Sequence, residues 1–419
     1  MIRKNIVIIS LVLWGSVSVL AQGANSPYSI LGLGHLQHMG NIANNGMGGI
    51  GVSNSHALQS NTLNPANLVS NKIVYFDASM MGEFRQTERG DSKQTDFGGN
   101  LMHLSFGFPV TRNWTMGFGL RPVTLVNYEI STYEKLPNTP TFVEYEYLGD
   151  GGITQAYFSN GIMLVKGLSV GLEATYNFGS INRQTRSNLD DGSNEYTVGI
   201  FNRRSFSQIT FLPGIRYAAQ VGEKFFVNLG GTYKMSTEYA VRDFEAIERR
   251  SASSDARIVS DTLMDVRSKV KMPSALNMGV SIEIPYKFVF GVDVSLQKWT
   301  DFTETDGANP YKDAMEVRSG LEWTPDYTSV SSYLKRVSYR IGGAYKELPY
   351  EWNDKVLNDY SASMGMSFPM GRGYSTLNLA LIYGVLGNGD NTSIKEQYAR
   401  FNFGLTINDP NWFIRRRIN

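Results

Sequence analysis

The sequence contains no cysteine, which excludes disulfide staples, thiolate metal sites and a lipid-anchored N-terminal cysteine. It has no excess of charge of one sign. Lys and Arg total 39 against 38 Asp and Glu, a net +1, which argues against a nucleic-acid binder or a polybasic surface protein. Histidine is scarce, with only His35, His38, His56 and His103 present. Beyond residue 21 there is no unbroken apolar run long enough for a membrane-crossing helix. Past its first residues the chain is therefore either soluble or crosses a membrane as strands.

The first residues have the layout of a secretory signal peptide. Arg3 and Lys4 provide the positive start, Ile6 to Val19 the apolar stretch, and Val19-Leu20-Ala21 a small-residue cleavage site. The alternative, an uncleaved anchor, has an apolar core short for a span. Residues 1–21 are expected to be removed, which places the mature chain outside the cytoplasm.

What the sequence does have is 23 Tyr, 22 Phe and 42 Gly. It also has strict alternation. From Leu168 to Gly179, Leu168, Val170, Leu172, Ala174, Tyr176 and Phe178 interleave with Ser169, Gly171, Glu173, Thr175, Asn177 and Gly179. Successive side chains of a strand point to opposite faces, so this stretch has one apolar and one polar face. The same holds for Phe288, Phe290, Val292, Val294 and Leu296 against Gly291, Asp293, Ser295 and Gln297, and for Met364, Met366 and Phe368 against Ser363, Gly365 and Ser367. Phe401, Phe403, Leu405 and Ile407 likewise alternate with Arg400, Asn402 and Thr406. About fourteen such segments follow one another from Lys72 to Asn408. An even number of long amphipathic strands predicts an all-β fold, a transmembrane antiparallel β-barrel with an apolar wall and a polar lumen. A soluble β-sandwich is the alternative, but its strands are usually shorter.

Connections alternate between short and long. Pro109–Asn113, Val165–Gly167, Val221–Glu223, Pro285–Tyr286 and Pro369–Gly373 are short; Gln86–Thr95, Ser131–Gly151, Arg186–Arg204, Asp243–Arg267, Thr303–Lys312 and Gly387–Lys395 are long and mostly polar. In outer-membrane barrels the tight turns are periplasmic, so both termini are expected there. Pro325–Leu334 breaks the rhythm and has room for a helical turn. Residues 22–71 show no sustained alternation and carry Gly46-Met47-Gly48-Gly49-Ile50-Gly51, a run costly in any regular helix or strand. They read as an irregular segment that needs something around it. The expected division is thus 1–21 signal peptide, 22–71 N-terminal segment, 72–409 barrel and 410–419 periplasmic tail, the last with Arg415, Arg416 and Arg417 suited to phospholipid headgroups.

Two blocks carry a family resemblance. Gly32-Leu33-Gly34, Gly46 to Val52 and Asn64-Pro65-Ala66-Asn67-Leu68 form one; Met272-Pro273-Ser274 to Val280, then Gly291 to Val294, then Lys298-Trp299-Thr300-Asp301-Phe302 form the other. Together they resemble the FadL-type outer-membrane transporters. The resemblance implies a fourteen-stranded barrel plugged by an N-terminal hatch, with Gly32, Gly34, Gly48, Gly49, Asn64, Pro65 and Ala66 in the hatch. It also implies passive uptake of hydrophobic small molecules such as long-chain fatty acids, without an energy source, and a lateral opening at a kink in the third strand. Here Pro122 interrupts the third strand after Gly117 and Gly119, where a missing N–H weakens the ladder. A simple bulge is the competing reading. The C-terminus departs from the family by continuing past the last strand.

Inward cations that could meet a carboxylate head are Arg121, Lys234, Arg340 and Arg400. They could equally be lumen lining that pairs with Glu173, Asp293 and Glu283. Asn64 before Pro65 starts a turn and suits either a local cap or a tie to the wall. His35 and His38 lie among glycines with no neighbouring ligand, so no metal or other cofactor is expected. The glycine run lacks the Lys-Ser/Thr of a phosphate loop. With one strand histidine, His103, an enzyme is not expected. Expected partners are a hydrophobic ligand, outer-membrane lipid and, on the alternative reading of a non-transporting subunit of a secretion or barrel-assembly complex, other outer-membrane proteins. A non-specific aqueous pore is a weaker third reading.

Overall fold

The computed structural model describes residues 23–410 and 412 except 140, 191–195, 304–310, 353–354, 372–373 and 388–393. The expected signal peptide and the arginines of the tail lie outside the described residues.

Alternating side chains make strands, and the strands pair with their sequence neighbours into one antiparallel sheet that closes on itself. The wall has fourteen strands, three of them broken in two. They are β1 (Val74–Arg89), β2 (Ser92–Thr111), β3 (Trp114–Pro122 and Thr124–Lys135), β4 (Phe142–Val165), β5 (Leu168–Asp190), β6 (Tyr196–Val221) and β7 (Phe225–Lys234 and Thr237–Ser251). Then come β8 (Arg257–Met272 and Ser274–Ile284), β9 (Phe288–Lys298), β10 (Ala314–Trp323), β11 (Ser338–Trp352), β12 (Lys355–Met370), β13 (Ser375–Leu386) and β14 (Lys395–Asp409). Closure is the β14–β1 ladder, running from Asp409 opposite Val74 to Lys395 opposite Glu88. Closing joins the first strand to the last, so the sheet has no terminal edge facing lipid.

The faces sort by polarity. Leu172, Tyr176, Phe290, Leu296, Met364, Met366, Phe401 and Phe403 are exposed on the outside. Glu173, Thr175, Asn177, Asp293, Ser295, Ser367, Asn402 and Thr406 are buried towards the lumen. The sequence places the long connections differently from the structure. Gln86–Thr95 is a tight hairpin with β1 and β2 turning at Gly90, and most of Ser131–Gly151, Arg186–Arg204 and Asp243–Arg267 continues as strand. The reason is that a ladder needs only backbone pairing. Above the lipid both faces meet water, so strands persist after the apolar alternation has stopped. The Pro325–Leu334 connection holds a 3-10 turn at Tyr333–Arg336.

Residues 23–71 lie against the inner face of this wall. They contain one short α-helix, α1 (Ile42–Gly46), two 3-10 turns and a two-residue strand. Asn41 caps α1 in a reciprocal box, accepting from Asn44 N at 2.8 Å while Asn44 accepts from Asn41 N at 3.2 Å. With so little ladder, asparagine amides satisfy the backbone. Asn61 and Asn67 both donate to Gly51 O, at 2.7 and 2.9 Å, and Asn71 donates to Gln59 O at 3.0 Å.

Candidate functional site

The lumen changes character along its axis. Towards the end with the long hairpins is an apolar and aromatic cluster that includes Tyr28, Leu33, Trp299, Phe302, Tyr311 and Tyr350. The chain leaves β9 at Lys298 in a 3-10 turn that swings Trp299 and Phe302 inward. Phe302 then meets Tyr311 edge-on, ring centres 4.7 Å apart. Towards the end with the short turns the lining is ionic. Arg340 donates to Glu322 at 2.6 Å, to Ser367 at 2.5 Å and to Gln59 at 3.3 Å. His103 Nε2 lies 2.7 Å from Asp77. Between the two zones is a cavity of about 250 Å³, whose lining includes the apolar Leu36, Met39, Val123, Leu212 and Trp299 and the cationic Arg121, Lys234, Arg318, Lys346 and Arg400.

The four cations singled out from the sequence do not act alike. Arg121 is saturated: it donates to Gln155 at 2.8 Å, to Thr62 O at 3.0 Å and to Glu173, and lies over the Tyr157 ring. Arg340 lies outside the cavity, in the ion cluster at the end with the short turns. Arg400 lines the cavity but is held by Glu83 and stacked on Tyr398. Lys234 lines the cavity with no ion-pair or hydrogen-bond partner among the described residues. So does Lys346, which the sequence reading missed. Its signal was the even spacing from Arg340 along β11, which puts both on the inner face. Of the proposed acidic partners only Glu173 pairs with one of these cations. Asp293 instead accepts from Gly51 N at 2.7 Å and Val52 N at 2.9 Å, and Glu283 accepts from Asn228 at 3.1 Å.

The third strand has a gap beside it. Trp114–Leu120 pairs with β2 on one side and β4 on the other. Above Leu120 the ladder to β2 stops, because Pro122 has no N–H to give and the chain steps inward. Thr124–Lys135 pairs with β4 and with the His35–Leu36 strand of the N-terminal segment, while Ser92–His103 of β2 pairs only with β1 among the described residues. Gly117 and Gly119 therefore do not line the gap; they sit below it in a two-sided ladder. An added Cβ at Gly119 would lie 2.7 Å from the Tyr157 hydroxyl, so these glycines make room for cross-strand tyrosines.

Residues 23–26 bridge the gap. Asn25 N donates to Asp96 at 2.5 Å on the β2 side, and Ser26 N donates to Asn127 O at 2.9 Å on the β3 side. Asn127 returns a bond to Gly23 O at 2.5 Å. Ser26 Oγ also donates to Glu396 at 2.7 Å and meets His35 Nε2 at 2.5 Å. Glu396 in turn takes Arg85, which shares Glu83 with Arg400. A small void behind this strap shares His35, Gln37, Arg85 and Arg400 with the central cavity.

The N-terminal segment is seated by glycines of the wall. Asn64 Oδ1 accepts from Ala66 N at 3.0 Å, while its Nδ2 donates to Val52 O at 2.8 Å and to Ile215 O of β6 at 3.0 Å. Pro65 follows at the first position of a 3-10 turn. Around it stand Gly161, Gly171 and Gly214; a Cβ on Gly161 would lie 2.7 Å from Pro65 O. On the opposite side Gly48, at φ +68°, donates to Ser363 Oγ at 2.8 Å, and its Cβ would lie 2.7 Å from the Gly343 backbone. Gly32, Gly34 and Gly49 also adopt positive φ, and Ala66 is fully buried. The inward wall glycines were legible only as breaks in the polar row of each strand.

Comparison with known proteins places this geometry. The family model described as BamG matches residues 1–419. No curated protein matches the chain. Among solved structures, the CymD monoaromatic hydrocarbon channel is similar at 17% identity with a TM-score of 0.58, over 90% of this chain and 99% of that one. The Ralstonia pickettii toluene transporter TbuX is similar at 14% identity and 0.56, over 89% and 99%. A Pseudomonas aeruginosa FadL homologue is similar at 11% identity and 0.57, over 88% and 98%. The fold is thus that of the FadL-type channels.

Proposed function

The chain belongs to the BamG family, and from that membership and its FadL-type barrel we propose that it is an outer-membrane passive channel for small amphipathic or hydrophobic molecules, residues 22–71 forming the plug. One observation carries the reading. The central cavity and the small void behind the strap that bridges the gap beside β3 share His35, Gln37, Arg85 and Arg400 as lining. A ligand entering from the aromatic zone would rest with its apolar part against Leu36, Met39 and Leu212. An anionic head would meet Lys234 and Lys346, the two cavity cations without partners among the described residues. Displacing the strap at residues 23–26 would then open a lateral way into the bilayer next to Pro122, so that the ligand avoids the periplasmic ion cluster. Long-chain fatty acids fit this chemistry. Both termini would be periplasmic, with the tail from residue 410 under the membrane.

The test is uptake into proteoliposomes of dodecanoate and of dodecanol, with Lys234→Ala/Lys346→Ala beside the native protein. The expected result is several-fold weaker dodecanoate uptake with dodecanol unchanged. Equal, unchanged uptake of both would remove the lysines from the reading. Pro122→Val should slow release into the bilayer while leaving binding intact.

A second reading, a non-transporting subunit of an outer-membrane assembly, is supported by the lumen itself. Paired charges from Arg121–Glu173 to Arg340–Glu322 cross the path along the axis. Purification in mild detergent with mass spectrometry separates the two. Co-purified lipid without a protein partner supports the channel; a stoichiometric protein partner without lipid supports the subunit.

A further inference from the structure

Four neighbouring strands, β5 to β8, carry a row of hydrogen-bond donors on the outside of the wall. Ser180 of β5 pairs with Ser205 of β6, Ser205 with Arg242 of β7, and Arg242 with Arg267 of β8. Their neighbours fix the direction. Ile181, Phe206, Val241 and Val270 are buried in the cluster that fills the lumen, and side chains an odd number of places along a strand point the other way. At about 4.8 Å between strands the row is about 14 Å wide. The level follows from what lies below it on the same face, towards the short turns. Phe178 and Tyr176 of β5 and Ile209 of β6 are 36%, 45% and 55% exposed there. They end the apolar belt that meets lipid, so the row is the first wholly polar level beyond it, where headgroups lie.

Charge on this face is unbalanced. Arg242 and Arg267 stand directly opposite each other, a like-charge pairing that costs stability by itself. Asp265 accepts from Arg242 at 2.7 and 2.6 Å, and Glu238 pairs with Lys269 at 2.9 Å. Those two carboxylates are then used. Arg203, Arg267 and Lys271, on the same face, make no ion pair among the described residues. On the far side of the barrel the outward positions beyond the belt are neutral or paired: Tyr345 lies against Tyr360, Tyr383 donates to Gln397, and Lys93 meets Glu88. We propose that the outside of β5–β8 binds the phosphate-bearing sugar headgroup of an outer-leaflet glycolipid, with Arg242 and Arg267 on the phosphate.

Three features commit the occupant. First, the row stands directly over the lipid-facing belt, so one molecule can lay its acyl chains on Leu172, Tyr176 and Ile209 and its head on the row. Second, two adjacent guanidinium forks match the oxygens of a phosphate, and the anion relieves the Arg242–Arg267 repulsion. Third, the surface is wider than a phosphate. The Ser180 and Ser205 hydroxyls have no partner among the described residues, and Phe201 and Phe244 lie edge to face, ring centres 6.4 Å apart, just beyond the arginines. Hydroxyls and ring faces of a sugar meet both, whereas a glycerol phosphate head reaches only the arginines. The inference rests on the orientation taken above, long hairpins outward, and not on what passes through the barrel.

The experiment titrates the purified full chain in mild detergent with diphosphoryl lipid A, with its phosphate-free form and with phosphatidylglycerol, read by native mass spectrometry. The expected result is binding of diphosphoryl lipid A about tenfold or more tighter than either of the others. Arg242→Gln/Arg267→Gln should abolish that preference, Arg242→Lys/Arg267→Lys should keep part of it, and Lys93→Gln on the far wall should leave it whole. The glutamine variant strands only the exposed Asp265, and heat-modifiable electrophoretic migration shows that the barrel is folded. Equal binding of the phosphate-free lipid, equal binding of phosphatidylglycerol, or a preference that survives the glutamine variant overturns the proposal. Because the chain has no cysteine, Ser253→Cys in the hairpin joining β7 to β8 reports the orientation through a membrane-impermeant maleimide. Labelling of intact cells is expected. Labelling only after the cells are broken removes the orientation and the proposal with it, whereas labelled cells with a failed lipid comparison remove the headgroup site alone.

Discussion

Replacing Asn64 with alanine removes a side chain that is fully buried and makes three hydrogen bonds at once. One caps the Pro65–Ser70 turn and is worth about 1 kcal/mol. The other two tie the turn to Val52 O and to Ile215 O on β6, and each contributes about 1 kcal/mol net. Asn67 also reaches Val52 O, at 3.4 Å, so that acceptor is only partly orphaned. The total is about 3 kcal/mol off the docking of the N-terminal segment. At about 1.4 kcal/mol per tenfold, the undocked population rises by roughly two orders of magnitude. Hydrogen exchange of the amides in 64–71, read by mass spectrometry on the protein in detergent, measures it directly. Exchange should speed up about a hundredfold there, while amides in the β5–β6 ladder stay unchanged. Asn64→Ser keeps a cap but is too short for the wall, so it should retain only about a third of the effect of the native residue. Exchange in 64–71 within threefold of the native rate would refute the view that this asparagine anchors the segment.

Three other expectations follow from the same contacts. Burial, with Arg318 close by, pushes His38 down to about 3, and its neutral ring donates to Gly49 O while accepting from Gly40 N, both at 3.0 Å. The unfolded segment binds this proton from about pH 6.5 downward and the folded one does not. Stability is therefore complete above pH 6.5 and falls by about 1.4 kcal/mol per unit between 6.5 and 3, readable as proteolysis of the segment that rises with acidification and is blunted in His38→Gln. Arg121→Met leaves Glu173 buried without its cation and should destabilise by about 3–5 kcal/mol, whereas Arg121→Met/Glu173→Leu should recover much of that loss in thermal unfolding followed by gel mobility. Gly171→Val places a side chain against Pro65 and Ala66, where backbone cannot give, so the turn should lift off with accelerated exchange in 64–71 and an intact barrel.

The wall was legible because period-two alternation is a local property. Lipid on one side and a polar lumen on the other force it onto residues such as Leu172–Glu173 and Phe290–Asp293, wherever they fall in the chain. The strand count, the inward and outward faces and the break at Pro122 all follow from neighbours a few residues apart. Strand length above the membrane was not legible, because the period carries no signal where both faces are wet.

What only the tertiary structure decided is who meets whom. Alternation puts Arg121, Lys234, Arg340, Lys346 and Arg400 all on the inner face, but barrel closure and the path of residues 23–71 decide which are neutralised. Arg121 finds Glu173 on β5, Arg400 finds Glu83 across the β14–β1 seam, and Lys234 and Lys346 line the cavity with no ion pair among the described residues. The strap at Gly23–Ser26 is likewise invisible in sequence. It joins residues about a hundred positions apart. Hydrophobic patterning is read one residue at a time, whereas pairing partners across a closed sheet are fixed only when the whole circle is assembled.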